Sequence, residues 1–126
     1  MTMSGIAQFR TVVLDTPDPK GLAAFYSQLL GWPITSVEDD WVVISDGGAP
    51  KRMAFQLAPD LRPSTWPDPE RPQQIHLDLL VDDLDEAEKR VLEIGAVKHE
   101  HQPDEEDDDF RVFLDPAGHP FCLCVS

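Results

Sequence analysis

The sequence predicts an α+β protein made of two similar halves. Each half has the order strand, helix, strands, and a proline-rich segment separates the two. The spacing is repeated, because Thr11 and Asp18 lie seven positions apart in the first half and His76 and Asp83 lie seven apart in the second. Each half has too little surface to form a core alone, so we expect the two halves to pack together.

Size and charge restrict the classes of function. The chain has 126 residues, which suits one domain or two half-size modules that share a core. Ten Lys and Arg stand against 24 Asp and Glu, and the resulting net charge of −14 disfavours nucleic acids and anionic membranes and favours cationic ligands. No stretch is long and apolar enough to span a membrane. The two cysteines, Cys122 and Cys124, and the lack of a secretion signal in the first thirty residues indicate a cytoplasmic protein.

The first half contains a strand, a helix and two further strands. Residues 9–14 are rich in apolar and β-branched side chains, which predicts a strand. Asp18, followed by a proline, is a typical helix start, and Gly31 is a typical helix end. Two more strands are predicted at residues 41–45 and 52–57, joined by a turn rich in glycine.

The hydrophobic pattern disappears in residues 59–74. This segment contains five prolines and Trp66, and its composition predicts an extended, semi-rigid linker. Residues 1–58 therefore form the first predicted module and residues 75–126 the second, within one compact domain.

The second half repeats the order of the first. Asp83 and Glu86 form a capping box at the start of a helix, and Gly95 ends it. An unbroken acidic run covers residues 104–109. The predicted strands of this half are residues 75–81, 97–99, 110–114 and 120–125.

Three segments carry a family resemblance: residues 18–31 (DPKGLAAFYSQLLG), 76–95 (HLDLLVDDLDEAEKRVLEIG) and 115–123 (DPAGHPFCL). In this order and spacing they resemble the vicinal oxygen chelate superfamily, which includes glyoxalase I, bleomycin-resistance proteins and extradiol dioxygenases. The resemblance implies an α+β fold of two βαβββ modules whose curled sheets form a ligand cup. It also implies that the chain pairs as a homodimer.

The resemblance further implies where a metal would bind. Metal-dependent members of the family have one ligand in the first strand and one in the last strand of each module. The matching positions here are Thr11, Gln56, His76 and Cys122, where the family has His or Gln, Glu, His and Glu. Since only His76 is a clear match and no carboxylate stands at a matched position, we expect no cofactor. A divalent metal remains the alternative, because sulfur and imidazole together suit zinc.

Asp78 lies two residues after His76 and therefore points to the same face of its strand. A carboxylate lining an apolar cup needs a partner, which would be His76, an arginine or a cationic ligand. One interpretation is an acid/base couple of the two side chains. The other is a structural ion pair, or a carboxylate in water at the rim of the cup.

The cup that the resemblance implies would combine apolar and polar side chains, which is typical of a small-molecule pocket. Trp66 or Trp32 at its mouth would stack on a planar guest. Two other roles are open for Trp66: it would cap the edge of its own module, or it would contact a partner chain. The predicted lining residues are Thr11, Val13, Ala54, Gln56, His76, Asp78, Leu80, Cys122 and Cys124.

The remaining candidate residues are interpreted as structural. His99 and His101 flank a glutamate and are expected in a solvated loop, and His119 is expected in a turn. Cys122 and Cys124 are expected to be inert, because no base is adjacent to either in the sequence.

Three hypotheses of function follow. The preferred one is a binding protein that sequesters a planar or cationic natural product or drug without metal chemistry, as antibiotic-resistance proteins of the resembled family do. The second is a metal-dependent lyase, isomerase or dioxygenase of the glyoxalase type, against which Thr11 and Cys122 argue. The third is a metal-independent enzyme that uses His76 with Asp78.

Overall fold

The computed structural model describes residues 5–48 and 51–125. The chain divides into two compact units, residues 1–59 and 60–126. In the described part of each unit, four strands form one mixed sheet and one α-helix lies between the first and second strands. This confirms the predicted α+β architecture of two βαβββ modules. No helix in these two described stretches is long and apolar enough to cross a membrane.

The first unit has the sheet order β1-β4-β3-β2. Strands β1 and β4 run parallel, and the other two neighbouring pairs are antiparallel. The elements are β1 (Val12–Thr16), α1 (Pro19–Leu30), β2 (Ile34–Val37), β3 (Trp41–Gly48) and β4 (Lys51–Leu57).

Helix α1 begins and ends where the sequence predicts. The Asp18 carboxylate accepts a hydrogen bond from the Gly21 backbone N–H at 3.1 Å, which pairs one of the free donors of the first turn. Gly31 adopts a left-handed conformation with φ of 74°, and its N–H donates to the Ser27 carbonyl at 2.9 Å. Both predicted caps are confirmed.

Helix α1 covers one face of the first sheet. Tyr26 of the helix stacks on Phe55 of β4 with ring centroids 5.6 Å apart, and both side chains are fully buried. Because side chains alternate along a strand, the neighbours of Phe55 point to the opposite face. We call this opposite side the helix-free face of the first sheet. The register assigns to it Val13, Asp15, Trp41, Val43, Ser45, Arg52, Ala54 and Gln56.

The second unit has the sheet order β5-β8-β7-β6, with β5 parallel to β8. Helix α2 has Asp83 as its N-cap, and the Asp83 carboxylate accepts from the Glu86 N–H at 3.1 Å. The elements are β5 (Leu77–Leu80), α2 (Leu84–Glu93), β6 (Val97–Lys98), β7 (Phe110–Leu114) and β8 (Pro120–Cys124).

Helix α2 is tied to its sheet by Arg111 of β7. The guanidinium donates to Asp85 at 2.9 Å and to Glu88 at 3.2 Å, both on the helix. Next to Arg111 on the same face, Phe113 stacks on Phe121, and both rings are fully buried. The register places Asp78, Leu80, Val112, Cys122 and Cys124 on the other side, the helix-free face of the second sheet.

Residues 60–74 fold into a hydrogen-bonded loop within the second unit. Three hydrogen bonds join Thr65 and Arg71. The Thr65 N–H and hydroxyl donate to the Arg71 carbonyl at 2.6 and 3.3 Å, and the Arg71 N–H donates to Thr65 Oγ1 at 2.9 Å. The Trp66–Pro67 peptide bond is cis. Pro63 packs against Gly118, where a Cβ atom would lie only 2.6 Å from the Pro63 Cβ.

Gln102 completes the outer edge of β7. Its side-chain amide accepts from the Val112 N–H at 2.9 Å and donates to the Val112 carbonyl at 2.8 Å. A backbone residue of a neighbouring strand would form the same two bonds. The amide therefore continues the edge at which the two-residue strand β6 stops.

Several strand boundaries differ from the predicted ones. Strand β1 spans Val12–Thr16 rather than residues 9–14, and β3 continues to Gly48 through the segment predicted as a turn. Strand β2 has no counterpart in the prediction. Its four residues are all exposed and its pairing with β3 is irregular, so it lacks the buried alternation by which strands are recognised.

Candidate functional site

The side chains of His76 and Asp78 contact each other at the start of β5. The distance from His76 Nε2 to Asp78 Oδ1 is 3.2 Å. The side chains are 42% and 64% exposed, so this pair is accessible to a ligand. Of the partners considered for Asp78, the structure shows His76.

Cys122 lies beside this pair on the neighbouring strand β8. The parallel register places Cys122 directly opposite Asp78. The ligand atoms of His76, Asp78 and Cys122 all lie within 4.8 Å of one another, although Cys122 is buried and the other two are exposed. We refer to these three residues as the His–Asp–Cys cluster.

The environment keeps the sulfur of Cys122 protonated. Burial and, after it, the negative charge of Asp78 together raise the pKa of Cys122 to about 12. Burial and Asp78 also raise the pKa of Cys124. Both thiols are therefore weak nucleophiles at neutral pH, as the sequence indicates.

The donor set does not fit the metal that the resembled family uses. The soft sulfur of Cys122 stands at the matched position of a hard carboxylate. In the first unit, Thr11 and Gln56 supply no charge.

The predicted residues of the first unit lie on its own sheet. Val13 is opposite Ala54, and Gln56 is opposite Asp15, all on the helix-free face. Thr11 directly precedes β1 and is half-buried. These residues share one face, as predicted.

Trp66 packs within the second unit. Its ring lies 5.2 Å from the ring of His99 and 5.1 Å from that of His101, edge-on in both cases. Its carbonyl is 2.9 Å from His99 Nε2. This is the arrangement expected of a cap on the module's own edge. Trp32 is half-buried at the end of α1, and its carbonyl accepts from the Ser27 hydroxyl at 2.7 Å.

The expectation that His99 lies in a solvated loop is wrong. His99 is half-buried, and both of its ring nitrogens have partners. Nδ1 accepts from the His101 N–H at 2.9 Å, so Nε2 carries the proton and donates to the Trp66 carbonyl. The segment following β6 is thereby held against the 60–74 loop, which no local sequence signal indicates. His101 itself is exposed.

The acidic run is held by Arg111. Asp108 binds the guanidinium with both carboxylate oxygens, at 2.9 and 2.7 Å, and this contact lowers the pKa of Asp108. Arg111, the run and α2 border a polar cavity of about 400 Å³. The sequence predicts the run but not its partner, which lies on a strand.

The sequence profile of the glyoxalase-like domain matches residues 11–124, which is nearly the whole chain. The chain belongs to the glyoxalase-like domain family. Members of this family bind small molecules. Among curated proteins, no sequence match is found.

Solved structures share the fold of this glyoxalase-like domain protein. A glyoxalase/bleomycin resistance protein/dioxygenase family enzyme from Burkholderia phytofirmans has a TM-score of 0.71 at 18% identity, over 94% of this chain and 98% of that one. The fosfomycin resistance protein FosX from Listeria monocytogenes has a TM-score of 0.69 at 14% identity, over 97% and 93%. A possible glyoxalase from Bacillus cereus has a TM-score of 0.67 at 13% identity, over 93% and 97%. At these identities the likeness shows the fold alone.

Proposed function

We propose that this glyoxalase-like domain protein binds a planar or cationic small molecule, such as a natural product or drug, and releases it unchanged without metal chemistry. The observation that carries the proposal is the exposed His76–Asp78 pair above the protonated thiol of Cys122. This arrangement offers a carboxylate that can accept hydrogen bonds, and it offers no activated nucleophile.

The charge of the chain supports a cationic guest. A net charge of −14 raises the local concentration of cations around the protein. The Asp78 carboxylate is 64% exposed, so a guest cation reaches it without displacing a buried group. Leu80, on the same face and 72% exposed, adds apolar surface for a planar ring. The free cysteines agree with a cytoplasmic location.

A metal-independent enzyme is the second candidate, and the 3.2 Å contact between His76 and Asp78 favours it. A carboxylate at this distance orients an imidazole, which is the arrangement of a general acid/base couple. The two proposals differ in what happens to the guest, since binding alone returns it intact.

The proposal is tested with a planar aromatic cation, proflavine, titrated into the protein while tryptophan fluorescence is recorded. We expect micromolar affinity and recovery of unchanged proflavine by mass spectrometry. Asp78→Asn should weaken binding about tenfold, because it removes one charge-assisted hydrogen bond. The matched control is Asp82→Asn, an exposed aspartate near the end of the same strand, which should leave the affinity unchanged.

Three results would contradict the proposal. Chemical conversion of the guest would support the enzyme instead. Binding that is unaffected by both Asp78→Asn and Trp66→Ala would show that the site lies elsewhere. Elemental analysis after dialysis tests whether the protein binds its guest without a metal. One equivalent of a divalent ion that is absent from His76→Ala would overturn that part of the proposal.

A further inference from the structure

Among the described residues of the first unit, two buried polar side-chain atoms have no hydrogen-bond partner. They are Thr11 Oγ1 and Arg52 Nε, and both are shielded from solvent. A buried donor without a partner is costly, and the cost is larger when the group is charged. Buried polar atoms in native proteins are nearly always paired with protein, water or a bound molecule, so two unpaired atoms indicate a missing partner.

The two atoms belong to neighbouring positions of the sheet. Val12 of β1 lies opposite Met53 of β4 in the parallel register, and Thr11 and Arg52 each come one residue earlier. Arg52 lies opposite Ser45 of β3, on the helix-free face. The Ser45 hydroxyl accepts from the Gly48 N–H at 2.8 Å, and it forms no hydrogen bond with Arg52 Nε.

The isolation of Arg52 contrasts with the abundance of acids. The chain has 24 Asp and Glu residues, and Arg111 alone binds three of them. Within residues 5–48 and 51–125, no carboxylate lies within 4.0 Å of the Arg52 guanidinium. A guanidinium stays charged throughout the physiological pH range. Arg52 thus presents an uncompensated positive charge on a face that holds predicted ligand-binding residues.

The chemistry of the two groups specifies their common partner. The Arg52 Nε–H can only donate a hydrogen bond, and the Thr11 hydroxyl can donate one as well. A partner shared by two donors must be an acceptor. A guanidinium binds planar or tetrahedral oxyanions most strongly, through two parallel hydrogen bonds from Nε and one terminal nitrogen.

We propose that Arg52 and Thr11 form a binding site within the first unit for the oxyanion group of a small molecule, a carboxylate, a phosphonate or a phosphate. The inference goes beyond the proposed function, because it concerns the first sheet alone and does not involve His76 or Asp78.

The experiment observes the Arg52 Nε–H resonance directly by ¹H–¹⁵N NMR of the unmodified protein. Benzoate and phenylphosphonate are the two anionic probes, and benzyl alcohol is the neutral control. We expect a saturable shift of the Arg52 Nε–H resonance with at least one anionic probe and none with benzyl alcohol. The anionic probe that binds with the higher affinity shows whether the site prefers a carboxylate or a phosphonate.

Variants locate the site. Arg52→Gln should weaken the binding of the tighter-binding anionic probe about tenfold or more, because it removes the charge-assisted hydrogen bonds. Thr11→Val, which keeps the shape of the side chain, should weaken it by roughly threefold to tenfold. The matched control is Arg62→Gln, because Arg62 is exposed and forms no ion pair with another described residue, so the affinity should be unchanged. Circular dichroism of each variant checks that it folds.

Two results would overturn the inference: an Arg52 Nε–H resonance that neither anion moves, or equal loss of affinity in Arg52→Gln and Arg62→Gln. The wild-type NMR measurement needs no variant, so a variant that fails to fold does not prevent the test. Failure of the proposed function is read separately, because it concerns proflavine and Asp78→Asn. An anion that shifts the Arg52 resonance in a protein that does not bind proflavine would support the oxyanion site alone.

Discussion

Replacing Gly118 by alanine tests how the 60–74 loop is held on the second unit. Gly118 has a φ of 89°, a backbone conformation that residues with a Cβ atom rarely adopt. The new Cβ would lie 2.6 Å from the Pro63 Cβ and 3.1 Å from its Cγ. Carbon atoms in contact are normally about 3.5 to 4.0 Å apart, so the Pro63 ring must move by roughly 1 Å.

The two effects have separate magnitudes. The left-handed backbone costs an alanine about 1–2 kcal/mol, and forcing one extra carbon into a packed contact costs about 1–3 kcal/mol. Gly118→Ala should therefore lower the free energy of unfolding by about 2–5 kcal/mol. Gly31→Ala is the matched control, because Gly31 has a φ of 74° and open space within 4 Å around its Cβ position. It should show only the backbone cost.

Urea denaturation, followed by tryptophan fluorescence and circular dichroism, gives both free energies. A double-mutant cycle with Pro63→Gly isolates the contact, because removing the proline ring leaves the alanine methyl without an obstacle. We expect the double variant to recover about 1–3 kcal/mol relative to the sum of the single variants. If Gly118→Ala costs no more than Gly31→Ala, or if the cycle is additive, Pro63 does not pack against Gly118.

Three further predictions concern the thiols, the acidic run and assembly. Cys122, whose pKa is about 12, should react slowly with thiol reagents at pH 8, and Asp78→Asn should accelerate the reaction because the Asp78 charge raises that pKa. Arg111→Met should lower the melting temperature at pH 7. Arg111 lowers the pKa of Asp108, so the stabilisation from this contact is present above the unfolded pKa of 3.8 and is lost as the pH falls through the folded pKa. The melting temperature of the variant should therefore fall less on acidification than that of the wild type. Light scattering should give twice the 14.1 kDa chain mass, because each sheet has edge strands with which a second chain can pair. A constant single-chain mass over a hundredfold dilution would contradict a homodimer.

Local signals were sufficient for the helices and for the repeat. Asp18 and Asp83 cap their helices through contacts made within three residues along the chain, so the sequence alone specifies them. Strand β2 was not predicted, because an exposed edge strand carries little hydrophobic pattern. The loop at residues 60–74 was predicted to be extended, since its bonds between Thr65 and Arg71 depend on a fold-back that composition does not reveal.

For the candidate site, the alternation of side chains along a strand predicted which residues share a face of the sheet, but not which side chains contact each other. His76 and Asp78 lie two residues apart on one strand, so their pairing was foreseeable. The approach of Cys122 depends on the register between β5 and β8, which brings together residues 44 positions apart in sequence. The unpaired state of Arg52 Nε depends on every group around it, so only the three-dimensional structure could reveal it.

The side chain of Gln102 has a consequence for the behaviour of the protein at high concentration. Strand β6 covers only the last part of the β7 edge, where Val97 and Lys98 pair with Leu114 and Phe113. An uncovered strand edge is a template on which other chains can add and grow into fibres. By occupying both backbone groups of Val112, the amide removes one such template. A single glutamine thus leaves one position fewer on the β7 edge at which another chain can pair, independently of whatever the helix-free faces bind.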